Sequence, residues 1–147
     1  MKVDFAEQCN YWKTSSRSPD SWLEKTENII QDKGGEVLQS GFGNDPAAGR
    51  AAYMLRFSIE GQVYKIIWPV LPSDGGSSMA AKRQAATMLF HDTKAKLIAA
   101  QVLGPRVAFF QWVELPNGQP ACQLTNDQMI ESIPAMFLTH NPEQDSK

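Results

Sequence analysis

The stretch SDGGSSMAAKR, residues 73–83, gathers residue types that hold anions. Gly75 and Gly76 let backbone N–H groups turn towards one point, and Ser77 and Ser78 add hydroxyls where a helical pattern begins. A helix N-terminus attracts negative charge, and Lys82 and Arg83, about one turn further on, add full positive charges. The chemistry predicted from this spacing is phosphate binding. It is not a Walker loop, because the terminal Gly-Lys-Ser/Thr is missing. The plainer alternative is a connection whose serine caps the helix.

Charge along the chain supports a polyanion reading. The net charge is −2, but Lys and Arg outnumber Asp and Glu eight to three between residues 50 and 106. Both flanking segments are acidic. Arg56, Lys65 and Lys94 therefore join Lys82 and Arg83 as candidate phosphate contacts, since a local field governs attraction of a polyanion more than the total does. Aromatics offer a second route. Tyr64, Trp68, Phe109, Phe110 and Trp112 lie near Arg56, Lys65 and Arg106, where exposed rings between cations would stack single-stranded bases. Rings of this size in alternating strands are expected in the core first.

Other chemistry finds little footing. His91 and His140 are the only histidines, and neither pairs with Cys9 or Cys122 at metal-ligand spacing. No cofactor is implied. Asp92-x-Lys94 has the spacing of a nuclease pair, but it lies mid-helix without further acids. Asp92 and Lys96 are instead spaced for a helical ion pair. No serine sits in a G-x-S-x-G elbow, and nothing marks either cysteine as activated. The residues make no positive case for an enzyme. No apolar run approaches the roughly 20 residues that span a bilayer. With no secretory leader recognised, the expectation is a cytoplasmic chain with reduced thiols and no membrane partner.

The elements that position these residues follow from local signals. Residues 1–17 read as an arm. Ser18 as N-cap, Pro19 as first helical residue, Asp20 and a closing Gly34 punctuate a helix whose inward stripe is Trp22, Thr26, Ile29 and Ile30. Three strands follow, within 34–45, 51–61 and 62–70. The second is the clearest, alternating Tyr53, Leu55, Phe57 and Ile59 with Met54, Arg56, Ser58 and Glu60. A long helix is predicted over 77–103, with Ala81, Ala85, Met88, Ala95, Ala99 and Val102 facing inward and Arg83, Thr87 and Lys94 outward. An aromatic hairpin turning at Asn117-Gly118, a short helix over 126–133 and a solvated tail from 135 complete the chain. The fold class is α+β, one domain over 18–134: helix, three-stranded antiparallel meander, long helix, β-hairpin, short C-terminal helix.

With Ser77 aligned to the serine of the second-helix motif, Gly75, Ala81, Lys82, Ala85 and Ala86 match, and the chain resembles the double-stranded RNA-binding domain in motif and in its helix–three strands–helix order. Ser73 replaces the first glycine of that motif, and Ser78 and Met79 stand where the family carries two lysines. The resemblance implies a reader of RNA duplexes. The expected function is thus a small non-enzymatic nucleic-acid-binding protein using Gly75, Gly76, Ser77, Ser78, Lys82, Arg83, Lys94, Arg56 and Lys65, with RNA against DNA left open. The alternative is an acidic protein-interaction module, a chaperone, adaptor or inhibitor, using an aromatic sheet face or a helix stripe as a dimer or partner interface. The element order also fits the type III secretion chaperone layout.

Overall fold

The computed structural model describes residues 1–46 and 49–123. Helix α1 spans Pro19–Asp32. Ser18 caps it by accepting from the Ser21 N–H at 3.1 Å, Pro19 takes the first helical position, and Gly34 leaves it at φ 89°. Pro19, Trp22, Thr26 and Ile30 are its buried residues. The next glycine is fixed by packing: a Cβ at Gly35 would sit 2.6 Å from Ile30 Cγ2 and 3.1 Å from the Ile30 carbonyl oxygen.

Strands β1 (Glu36–Asp45), β2 (Arg50–Ile59) and β3 (Gln62–Pro69) form the antiparallel meander β1-β2-β3. Glu60 and Gly61, both at positive φ (52° and 81°), make the two-residue turn between paired Ile59 and Gln62. Right-twisted strands favour this geometry. Tyr53, Leu55 and Phe57 pair with Trp68, Ile66 and Tyr64, so one face carries the large apolar side chains and the other carries Met54, Arg56, Lys65 and Ile67. The register of β1 shifts between Val37 and Gln39, which brings Phe42 opposite Tyr53 on the apolar face.

Helix α2 (Ser78–Leu103) packs beside α1 on that face. Its buried residues include Ala81, Gln84, Ala85, Leu89, Phe90 and Leu97. The inward stripe predicted over Ala81, Ala85 and Val102 holds only in the first half, because Ala95 and Val102 are exposed. Leu89, Phe90 and Leu97 bury more apolar area than alanines do, and they set the helix rotation. Thr87, expected outward, is buried and donates to the Arg83 carbonyl. The arm explains part of this. Gln84, on the same half of α2, donates to carbonyls of residues 6, 9 and 10, so the chain start lies against the helix.

After Gly104 (φ 87°) the chain forms a four-residue helix, α3 (Pro105–Ala108), and a 3-10 turn over Phe110–Trp112. An aromatic strand was expected there. Phe109 instead enters the core at 5.3 Å from the Phe57 ring and 5.4 Å from the Tyr64 ring. Of the expected hairpin, the turn at Asn117-Gly118 remains, closed by the bridge Glu114↔Pro120 and the Gly118 N–H on the Leu115 carbonyl. The architecture is α+β, with a meander, a long helix and short helices. The helix expected over 126–133 and the tail lie outside the described residues.

Candidate binding surfaces at the two ends of the long helix

At the start of α2 the Gly/Ser loop does hold an anion, and it comes from the chain itself. The Glu7 carboxylate accepts from Ser73 Oγ at 2.8 Å, from the Asp74 N–H at 3.1 Å and from the Gly75 N–H at 2.8 Å. The Gly75 N–H foremost, with Ser73 and Asp74 working against desolvation, holds the Glu7 carboxyl down at about 2 against an ordinary 4.5. The Ala6 N–H reaches the Pro72 carbonyl beside this contact, so arm and loop are joined by backbone as well. Ser77 makes no side-chain cap; its N–H is held by Ser73 Oγ at 3.0 Å.

The predicted cations separate into groups. Lys82 lies at the start of α2 with its ammonium 4.1 Å from the Phe42 ring centroid, at a cavity of about 590 Å³ that Arg50 and Met79 also line. Arg83 donates to the Ser15 carbonyl at 3.4 Å. Lys94 is exposed, about three turns beyond Lys82 on α2. Arg56 and Lys65 pair across β2 and β3 on the sheet face turned away from both helices. Glu114 grips the Arg56 guanidinium at 2.8 and 3.0 Å, which raises its pKa further, and Lys65 donates to the Gly118 carbonyl. Gly75, Gly76, Ser77, Ser78, Lys82 and Arg83 therefore cluster, Lys94 stands apart, and Arg56 and Lys65 face the other way. Of the proposed stacking rings, Tyr64, Phe109 and Trp112 are core residues.

The far end of α2 carries two features that no sequence motif marked. Ala95, Ile98 and Val102 lie on its outer side, with Ile98 and Val102 53% and 83% exposed. Their spacing of four stacks the two large side chains on one stripe, and that spacing is legible in the sequence once the inward stripe is placed correctly. Around the corner, a cavity of about 450 Å³ opens between the Glu60-Gly61 turn and α3. Leu103, Val107 and Ile59 give it apolar walls; Tyr64, Gln62 and Arg106 give it polar ones. Tyr64 is wholly buried and Gln62 is 8% exposed. Tyr64 Oη, Gln62 Oε1 and Arg106 Nε are each buried without a hydrogen-bond partner. Burial pushes the Tyr64 phenol up to about 12, Arg106 opposing and Glu60 adding to the shift, so it is a neutral O–H donor at pH 7.

Among the described residues no group of three or more His, Cys, Asp or Glu could hold a metal ion. His91 stacks on Tyr11 at 5.0 Å, and Asp92 pairs with Lys96 at 2.7 Å, as their spacing predicted. Cys9 and Cys122 are free thiols. Among the described residues no helix is long and apolar enough to cross a membrane. No family model, no curated protein and no solved structure matches the chain.

Proposed function

We propose that this protein is a non-enzymatic protein-interaction module that pairs with a second copy of itself through the outer stripe of α2. The observation that carries the reading is the exposure of Ile98 and Val102, one helical turn apart near the end of a 26-residue helix. Solvent-facing apolar side chains at that spacing offer a seam for another helix. The small residues Ala95 and Ala99 beside them permit close approach, and Lys94 and Gln101 supply a polar rim. A two-fold pairing would use the same patch on both chains.

The nucleic-acid reading has less support. Of its loop N–H groups, that of Gly75 is engaged by Glu7 and those of Gly76, Ser77 and Ser78 by acceptors within the loop. Its cations lie on two faces, and Arg56 is already paired with Glu114. Sedimentation velocity over a concentration series, alongside titration of labelled RNA and DNA at low and physiological salt, tests the choice. Self-association is expected, and Val102→Asp should weaken it by at least about tenfold, because a charge replaces a buried apolar side chain in both copies. A chain that stays monomeric throughout refutes the proposal. So does nucleic-acid affinity that falls steeply with salt and ignores Val102→Asp, which would return the assignment to residues 75–83 and to the duplex-RNA resemblance.

A further inference from the structure

Where the end of the sheet meets the first turn of α2, the cavity of about 590 Å³ joins two cations to an apolar wall. The Val70 N–H, 3.0 Å from the Ala51 carbonyl oxygen, fixes its sheet side. Arg50 opens β2 and Lys82 lies one turn into α2, so one cation comes from each element. Both positive groups are accessible: of the Arg50 nitrogens only Nε is buried, and the Lys82 ammonium lies over the exposed Phe42 ring at 4.1 Å. The ion pairs among the described residues are Arg56–Glu114 and Lys96–Asp92, so neither cation is paired with a carboxylate. The lining itself holds no Asp or Glu. Three acids of neighbouring elements lie outside it. Glu7 is spent on its loop donors, and Asp20 acts on Tyr53. Asp45, the partner of Arg50 in the strand register, lines the opposite sheet face.

Two unpaired cations beside an open apolar wall ask for a ligand that is anionic at one end and apolar at the other. Phe42 and Met79, 46% and 56% exposed, leave much of that wall in water, and Val70 and Leu71 continue it. We propose that this cavity binds a free aliphatic carboxylate, its head between Arg50 and Lys82 and its chain along Val70, Leu71 and Met79. A guanidinium presents paired donors that match a carboxylate, and the ammonium adds a second charge. The volume lies within the range of about 300–1,000 Å³ that small molecules fill. A nucleic-acid phosphate would meet the same cations but leave the apolar wall in water. The site lies within one chain, at the other end of α2 from Ile98 and Val102, and does not rest on self-association.

The probes are octanoate, 1-octanol and octylammonium, which share a tail and differ in head charge. Titration followed by methyl NMR should show octanoate shifting the Val70, Leu71 and Met79 resonances with millimolar affinity, as befits a fragment. Octanol should bind about tenfold more weakly and octylammonium more weakly still. Acetate, which lacks the tail, should leave those methyls unmoved. Lys82→Met keeps the apolar stem and removes the charge, and Arg50→Gln keeps a polar side chain. Each should weaken octanoate several-fold and leave octanol unchanged, while methyls away from the cavity report an intact fold. Equal binding of octanoate and octylammonium, unchanged octanoate affinity in both variants, or no shift up to roughly 10 mM would overturn the assignment. So would octanoate shifts of comparable size at the Ile98 methyls, the mark of unselective uptake by apolar surface. Val102→Asp should bind octanoate as the parent does, so failure of self-pairing and failure of this site are read separately.

Discussion

Gln84 is the clasp between the arm and α2, and its replacement by methionine gives the sharpest stability test. The residue is 2% exposed, and its Nε2 lies 2.8 Å from the Ala6 carbonyl oxygen, 2.8 Å from that of Asn10 and 3.3 Å from that of Cys9. Methionine keeps most of the side-chain volume and flexibility, so a cavity contributes little. What changes is the donor. The Ala6 carbonyl keeps the Cys9 N–H at 3.1 Å, so only a net bond of about 0.5–1.5 kcal/mol is lost there. Asn10 is exposed, so its carbonyl can turn to water, and only the net bond of about 0.5–1.5 kcal/mol is lost there. Together the change amounts to about 1–3 kcal/mol.

How that loss appears depends on whether the arm opens alone or with the domain. If it unfolds with the core, the calorimetric Tm should fall by roughly 2–12 °C, taking about 2–4 °C per kcal/mol for a chain of this size. If the arm opens separately, Tm moves little and amide exchange of residues 6–13 accelerates by a factor of roughly 5 to 150. Gln84→Glu should be worse than Gln84→Met, because it aims an acceptor at three carbonyls. A Gln84→Met protein with unchanged Tm and unchanged exchange in the arm would refute the clasp.

Two further perturbations test the same packing. The Glu7 carboxyl is held at about 2 when folded and near 4.5 when free, so its contribution is complete above pH 4.5 and lost as pH falls towards 2. Tm of the parent should drop across that window, and Glu7→Gln should lack this component; superimposable acid limbs would count against the latch. Gly35→Ala places a methyl 2.6 Å from Ile30 Cγ2 and close to a backbone carbonyl that has little room to move. It should cost about 1–3 kcal/mol in urea unfolding, and a neutral result would mean that α1 and the start of β1 shift apart freely.

Local signals made much of the scaffold legible from the chain alone. Ser18, Pro19 and Gly34 bracket α1 because capping depends on near neighbours, and the strict alternation from Tyr53 to Ile59 needs no partner to be read as a half-buried strand. Over residues 106–112 the chain alone does not separate strand from helix turn, because rings suit a strand, a helix turn or a core equally over so few residues. Gly104 at φ 87° and Pro105 at a helix start decided it, with Phe109 fitting between Phe57 and Tyr64. On α2 the small alanines appeared to mark the inner stripe. In the second half larger side chains took that place, and Ala95 was left exposed with Ala99 and Ala100 half-buried.

The anion loop shows why a site is harder to read than an element. Its capacity follows from Ser73, Gly75 and the peptide N–H groups between them, all within three residues. Its occupant, Glu7, is 68 residues upstream of Gly75, and no spacing rule connects them. The cavity beside α3 is the converse case. Tyr64, Gln62 and Arg106 are unremarkable in the chain, since any of them could have met a partner in the fold. Only packing shows that Glu7 has filled the loop's donors, while Tyr64 Oη, Gln62 Oε1 and Arg106 Nε near the opposite end of α2 are buried without a partner, as Arg50 Nε and Arg83 Nε are near its start. Recognition by this protein is therefore sought where the fold has left polar groups without partners and apolar ones in water.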